Sequence, residues 1–326
     1  MSIMLIDPFK FGGGADLDAF KTSWQTDNVG TSTDSQITIP TKSDGTYTCN
    51  VDWGDGSNDD ITTYNDPAWT HTYPSPGAYT VTITGVFSRI YFNNGGDKLK
   101  LTGISQLGTG LSGTDQSNAF MGCTNLTSLP DDMTLDHLIL GRAMFRSTSL
   151  TSLPSGMVLG SLTDGWTMFY LTNPLASLPD DMTLASLTDG SYMFYGTSLT
   201  SLPSGMVLGS LTDGRAMFYG TSLTSLPSGM VLGALTSGYY MFYGTSLTSL
   251  PSGMVLGALT DGAYMFLNVT INTTDYNNLW VNIEANNSNS SVPFHGGNSK
   301  TSGAGTTAKA AQVADHTWTV TDGGEI

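Results

Sequence analysis

Six Met-Phe dipeptides at a nearly fixed interval constrain this chain more than any other feature. They stand at Met144-Phe145, Met168-Phe169, Met193-Phe194, Met217-Phe218, Met241-Phe242 and Met265-Phe266, behind Ala119-Phe120, at Phe-to-Phe intervals of 25, 24, 25, 24, 24 and 24. Leu-Pro keeps step: Leu129, Leu153, Leu178, Leu202, Leu226 and Leu250 each precede proline. Units this short cannot bury an apolar face alone and must stack on one another. In the unit Ser198 to Thr221, the expected inward side chains are Leu199, Leu202, Met206, Leu208, Leu211, Met217 and Phe218. Proline after Leu202 should end or edge a strand, and Asp213-Gly214, like Asp164-Gly165, Asp189-Gly190 and Asp261-Gly262, should make a tight turn. Each unit is expected to hold one short strand, turns and at most one helical turn.

The flanking segments follow other periods. Thr46 to Asp52 alternates with Tyr47, Cys49 and Val51 on one face, and Tyr79 to Thr84 alternates as well. A β module is expected over residues 20–96, with Ile90 to Asn94 leading directly into the repeats of 97–270. After Phe266 the period breaks, and Tyr276, Leu279, Trp280 and Ile283 fall at i, i+3, i+4 and i+7, the spacing of an amphipathic helix starting near Thr274 or Asp275. A strand near Val292 to Phe294, an Ala-rich helix and Trp318-Thr319-Val320 complete a helix-strand cap over 271–326, adding a parallel edge to the stack. Residues 1–19 form an N-terminal segment whose Phe9 and Phe11 are expected to anchor the protein in an assembly.

Charge and chemistry remove several function classes. A net charge of −16 with only 11 Lys and Arg repels phosphate backbones, so no nucleic-acid partner is expected. No run of about 18 apolar residues occurs, so no membrane insertion is expected. Of the 27 acidic residues only Glu284 and Glu325 are Glu, and Asp favours turns and caps. Cys49 and Cys123 fall in different modules and are expected to be free, buried thiols. The four histidines are dispersed, and His71 is expected to make a structural hydrogen bond. Asp52, Asp55, Asp59 and Asp60 have the oxygens to gather a Ca²⁺, but Asp55-Gly56 already explains itself as a turn. No Gly-x-Ser-x-Gly, phosphate-binding glycine loop or His-Glu-x-x-His is present. No catalytic residue, metal or cofactor is expected, and the repeated aspartates read as turn caps rather than acid–base pairs.

Variation between otherwise matching units concentrates just before Met-Phe, in the pairs Arg142-Ala143, Trp166-Thr167, Ser191-Tyr192, Arg215-Ala216, Tyr239-Tyr240 and Ala263-Tyr264. Just after Phe stand Arg146, Tyr170, Tyr195, Tyr219 and Tyr243. Stacking should align these into aromatic ladders, which either pack unit on unit or offer faces to sugar rings or protein partners. The candidate ligand-binding residues are Trp166, Tyr192, Arg215, Tyr239, Tyr240 and Tyr264.

Phe120, Gly122, Cys123, Leu126, Leu129 and Pro130 make a unit that resembles the BspA-like leucine-rich-repeat family, in which Phe, often Gly-Cys, then Leu-x-x-Leu/Ile-Pro recur. Later units replace Gly-Cys-Thr by Gly-Thr-Ser. Trp53-Gly54-Asp55-Gly56, then His71-Thr72-Tyr73, then Gly77-Ala78-Tyr79-Thr80-Val81-Thr82 is similar to the PKD domain. The resemblances imply a mainly β chain: an N-terminal PKD/immunoglobulin-like β-sandwich, a leucine-rich-repeat-like solenoid of about 24-residue units and an α/β C-terminal cap. They also imply surface display, adhesion and assembly rather than a reaction. Met1 to Lys10 has no basic n-region, so no secretory signal is expected. A bacteriophage virion, assembled in the cytoplasm and released by lysis, reconciles surface display with that start. The expected function is a non-enzymatic virion surface structural protein, as capsid decoration, head fibre or tail-associated adhesin. It would be multimeric in an assembly, contacting other virion proteins through its N-terminal part and a host-surface glycan or protein through the repeats. The alternatives are a bacterial cell-surface or extracellular adhesin and a glycan-cleaving enzyme.

Overall fold

In the computed structural model, which describes residues 17–326, short alternating strands build the N-terminal region. The expected anchor residues Phe9 and Phe11 lie outside the described residues. The strands are β1 (Phe20–Gln25), β2 (Gln36–Thr38), β3 (Tyr47–Asp52), β4 (Asn58–Ile61), β5 (Thr70–Thr72), β6 (Ala78–Phe87) and β7 (Leu101–Gln106). Five of them pair antiparallel in the order β4-β3-β6-β1-β7, an open sheet, and β2 pairs with β5 in a separate antiparallel ribbon. In β3, Tyr47, Cys49 and Val51 are buried while Thr48 and Asp52 face out, as a period of two requires. β7 lies past residue 96 and pairs with β1, so the edge of this sheet is made by chain already entering the repeats.

The residues between 53 and 79 that the sequence singles out form one aromatic cluster. Trp53 is fully buried, His71 stacks on it at 4.7 Å and 6°, Tyr73 meets His71 edge-on, and Tyr73 stacks on Tyr79 at 3.8 Å. Gly54 takes φ +79 with its α-carbon against the Thr80 carbonyl, a place no side chain fits. Asp55 accepts from the Ser57 amide at 3.0 Å and lies 2.9 Å from His71 Nε2. Burial pushes the Asp55 carboxyl up, but the hydrogen bonds from Ser57 and His71 outweigh it and hold its pKa at about 2.

From Phe120 onward each unit lies on the next. Phe120, Phe145, Phe169, Phe194, Phe218, Phe242 and Phe266 stack face to face, centroids 5.4–5.7 Å apart and planes within 14°. Parallel bridges join equivalent positions, Asp164 to Asp189, Asp189 to Asp213, Asp213 to Ser237 and Ser237 to Asp261. These are single bridges, so the expected strand in each unit is not formed. Ahead of Pro203, where the strand is expected, Ser198 and Thr200 donate to the preceding unit at 3.0 and 3.4 Å without forming a ladder, and beside the bridges left-handed residues four apart, such as Ala143 (φ 51) and Ser147 (φ 56), interrupt extended backbone. Of the seven expected inward residues in the unit Ser198 to Thr221, six are buried, while Leu202 is only half-buried at the rim of the core.

Both ends of the stack are covered. At the first, Phe92 donates its amide to the Ala119 carbonyl and Asn94 to Met121, and the buried Arg89 reaches Asp44 and Asp115 at 3.0 and 2.9 Å. At the second, α1 (Thr273–Asn286) buries Tyr276, Leu279, Trp280 and Ile283, with the Asn272 side chain capping it through the Asp275 amide. β8 (Pro293–His295), α2 (Gly303–His316) and β9 (Thr319–Thr321) follow; β8 and β9 pair parallel, and Phe294 bridges Gly262. One continuous apolar core runs from Phe20 to Trp318. Cys49 and Cys123 are free and buried, and burial pushes both thiols up. No described helix is long and apolar enough to cross a membrane.

Two outcomes follow from this packing. Phe194→Ala, in mid-stack, should cost about 3–5 kcal/mol in denaturant unfolding, and a loss below about 1 kcal/mol contradicts a packed ladder. Because the folded pKa of Asp55 (about 2) lies below the ordinary carboxylate value of ~3.9, its contribution is present above about pH 4 and lost as pH falls toward 2. Thermal midpoints measured across that window should fall less steeply for Asp55→Asn than for the wild type.

Candidate functional site

The outer face that carries the variable columns is built by the segment running from each Asp-Gly turn to the threonine beyond the constant tyrosine. Within it, alternate amides donate to the next unit: Gly165 to Asp189, Thr167 to Ser191, Phe169 to Met193 and Leu171 to Tyr195, at 2.9, 3.0, 2.9 and 2.9 Å. The intervening amides of Met168 and Tyr170 close tight turns onto Gly165 and Thr167. This backbone requires a left-handed residue at the second variable position of every unit, with φ of 51, 54, 59, 50, 56 and 59 at Ala143, Thr167, Tyr192, Ala216, Tyr240 and Tyr264. Such a conformation costs a side-chain-bearing residue about 1–2 kcal/mol, and the amides donated on both sides hold it there. The same local shape in each unit gives the side chains around it the same orientation.

The repeated carboxylates serve the turns. Asp164, Asp189, Asp213 and Asp261 each accept, through Oδ1, the amide two residues ahead, at 3.1, 2.9, 3.1 and 3.0 Å. Arg142 Nε lies 2.7 Å from Asp164 Oδ2, and Arg215 Nε lies 2.9 Å from both Asp213 oxygens. Burial pushes Asp213 up, but the Arg215 hydrogen bonds outweigh it and hold the carboxyl below its ordinary range. Among the described residues no group of three or more His, Cys, Asp or Glu could hold a metal ion.

Beside these turns runs a row of rings. Tyr170, Tyr195, Tyr219 and Tyr243 stack at 4.9, 4.4 and 4.5 Å with planes within 19°, each half-buried. The Arg146 guanidinium covers Tyr170 at 4.7 Å, and Asn268 donates to the Tyr243 hydroxyl at 3.2 Å, so the row has a cation at one end and an amide at the other. Burial, then the neighbouring Tyr195 and Tyr243, push Tyr219 up to about 12, so its hydroxyl stays neutral.

Four of the six sequence-predicted residues join this row. Tyr192 leans on Tyr170 and Tyr195 at 6.5 and 6.0 Å, and Tyr240 on Tyr219 and Tyr243 at 6.0 and 5.3 Å. Tyr264 stacks on Tyr240 at 4.7 Å and 11°, and Tyr239 meets Tyr240 edge-on at 4.5 Å. Trp166 is 41% exposed and makes no ring contact among the described residues. Arg215 is exposed, but its guanidinium is tied to Asp213. The cap adds a residue that no sequence pattern marks: His295 lies 6.1 Å from Tyr264, 31 residues away and outside the period. The assembled face is a long aromatic strip edged with hydroxyls, suited to stacking on apolar ring faces while exchanging hydrogen bonds.

Tyr219→Ala breaks two stacked pairs, each worth about 0.5–1.5 kcal/mol beyond burial, and should lower stability by at least ~1 kcal/mol in chemical denaturation. Tyr219→Phe keeps the rings and should stay within about 1 kcal/mol of the wild type; equal losses in both variants would contradict ring packing. No protein-family model matches this chain, and neither a curated protein nor a solved structure is detectably similar to it.

Proposed function

We propose that the chain is a non-enzymatic display protein of a bacteriophage virion surface, whose aromatic strip binds a bacterial surface glycan. In this reading the N-terminal sheets are a PKD/immunoglobulin-like β-sandwich and the stack is a leucine-rich-repeat-like solenoid. The Trp53, His71, Tyr73 and Tyr79 cluster supports the first assignment, and parallel bridges between equivalent positions support the second.

The observation that carries the function is the row from Arg146 through Tyr243, flanked by Tyr192, Tyr240 and Tyr264. Its rings are held at fixed spacing before any ligand arrives, which reduces the ordering cost of binding. A shallow strip suits a flexible sugar chain better than a compact protein, which would need a central pocket for its anchors. Binding is favoured over cleavage because the repeated aspartates are engaged by turn amides and arginines. Arg89, held by Asp44 within the N-terminal part, reaches Asp115 of the repeats and joins the two parts, as a display arm requires. Other virion proteins would contact the N-terminal part, in a capsid decoration, head fibre or tail-associated adhesin.

Two experiments test the proposal. Mass spectrometry of purified particles should find the chain; its absence there, with intact protein on washed bacterial cells, would move it to a cell-surface adhesin. Trp166→Ala and Tyr239→Ala should each weaken binding of bacterial surface polysaccharide roughly five- to tenfold, about 1 kcal/mol, the loss of a contributing contact rather than of a central anchor. The exposed Trp166 should leave stability within about 0.5 kcal/mol. New reducing ends on that polysaccharide would contradict a non-enzymatic reading.

A further inference from the structure

The aromatic strip ends at the cap, and it ends in a cleft. β8 continues the stack past Tyr264, with the Phe266 amide donating to the His295 carbonyl at 3.0 Å. Between Tyr264, Phe294, His295, Thr319 and Thr321 opens a cavity of about 160 Å³. Pockets for drug-sized ligands start at roughly 300 Å³, so this one has room for a single ring.

His295 gives the cleft its chemistry. Its Nδ1 accepts the Gly297 amide at 3.1 Å, which places the proton of the neutral imidazole on Nε2. That Nε2–H has no hydrogen-bond partner among the described residues. Burial pushes the imidazole down against the opposing charge of Asp322, so the neutral form prevails at neutral pH. Tyr264 lies beside the imidazole at 6.1 Å and 29°, and Thr319 and Thr321 on the opposite strand expose their side chains. One donor of fixed tautomer, an aromatic face and two hydroxyls thus surround a space the size of one ring, at the end of a strip of rings.

We infer that this cleft is the end subsite of the strip and takes the terminal hexopyranose ring of a glycan laid along the tyrosines. The sugar's C–H face rests on Tyr264, a ring hydroxyl accepts from His295 Nε2–H, and other hydroxyls exchange hydrogen bonds with Thr319 and Thr321. The assignment rests on the reading of the strip as a glycan surface.

The test uses the ¹⁵N-labelled full chain, titrated with the methyl glycosides of glucose, galactose, mannose and N-acetylglucosamine, and separately with bacterial surface polysaccharide. At least one glycoside should shift the Tyr264, His295 and Thr321 amides. His295→Phe should weaken that glycoside and the polysaccharide about tenfold, as for one lost hydrogen bond, while His295→Gln, which keeps a donor, should retain most of the affinity. Equal polysaccharide binding by the wild type and His295→Phe, with no glycoside shifting the cleft amides, overturns the subsite and leaves the strip standing. Failure of the wild type to bind either probe overturns both. Should His295→Phe not fold, the wild-type shift map decides alone.

Discussion

Donation of alternate backbone amides from each unit to the carbonyls of the next is the interaction on which the rest of this molecule depends. Phe169 to Met193 at 2.9 Å and Phe194 to Met217 at 3.0 Å repeat it with the phenylalanine rings in contact. A one-residue slip inside that segment would exchange donating and turn-closing amides and break the contact with both neighbours. The two unit lengths respect this limit. Phe120 to Leu129 and Phe169 to Leu178 are one residue longer than Phe145 to Leu153 and Phe194 to Leu202, so the extra residue falls after the amide-exchanging segment. Threonines extend the same registry on a neighbouring turn, where Thr188, Thr212, Thr236 and Thr260 each donate a hydroxyl to the carbonyl one unit back.

A backbone repeated this strictly makes the outer face repeat as well. Left-handed φ at Thr167, Tyr192, Tyr240 and Tyr264 is intrinsically unfavourable, and its persistence measures how strongly the neighbouring units impose it. In return, side chains at one column meet their counterparts at ring-stacking distance without any contact designed pair by pair. Variation can then be confined to the columns beside Met-Phe while the core stays constant. That division leaves the core to Phe, Met and Leu and the outer face to Tyr, Trp and Arg.

The core was legible because its signal is the identity of side chains at a fixed period: Phe145, Phe169 and Phe194 could be aligned before any geometry was known. The helix α1 was legible because Tyr276, Leu279, Trp280 and Ile283 share one face. The left-handed turns beside the bridges were not legible because Ala143, Thr167 and Tyr192 take them without glycine, so the sequence carries no mark of the turn. The second such position is marked by Gly196, Gly220 and Gly244 but not by Ser147 or Leu171. β7 escaped notice because its partner β1 lies some eighty residues back in the chain, a pairing that no local pattern records. His295 joined Tyr264 through the cap, where no period operates, and Trp166, prominent in sequence, stands outside the stacked rings.

Native-state hydrogen exchange reads the bonding between units one donor at a time, because each inter-unit bond belongs to a named amide. The amides of Gly190, Tyr192, Phe194 and Gly196, which donate to Asp213, Arg215, Met217 and Tyr219, should exchange slowly and open together with their counterparts in neighbouring units. Rapid, independent exchange at Tyr192 and Phe194 in the folded protein would mean that the units are not bonded to one another, and the stack with its aromatic strip would not stand.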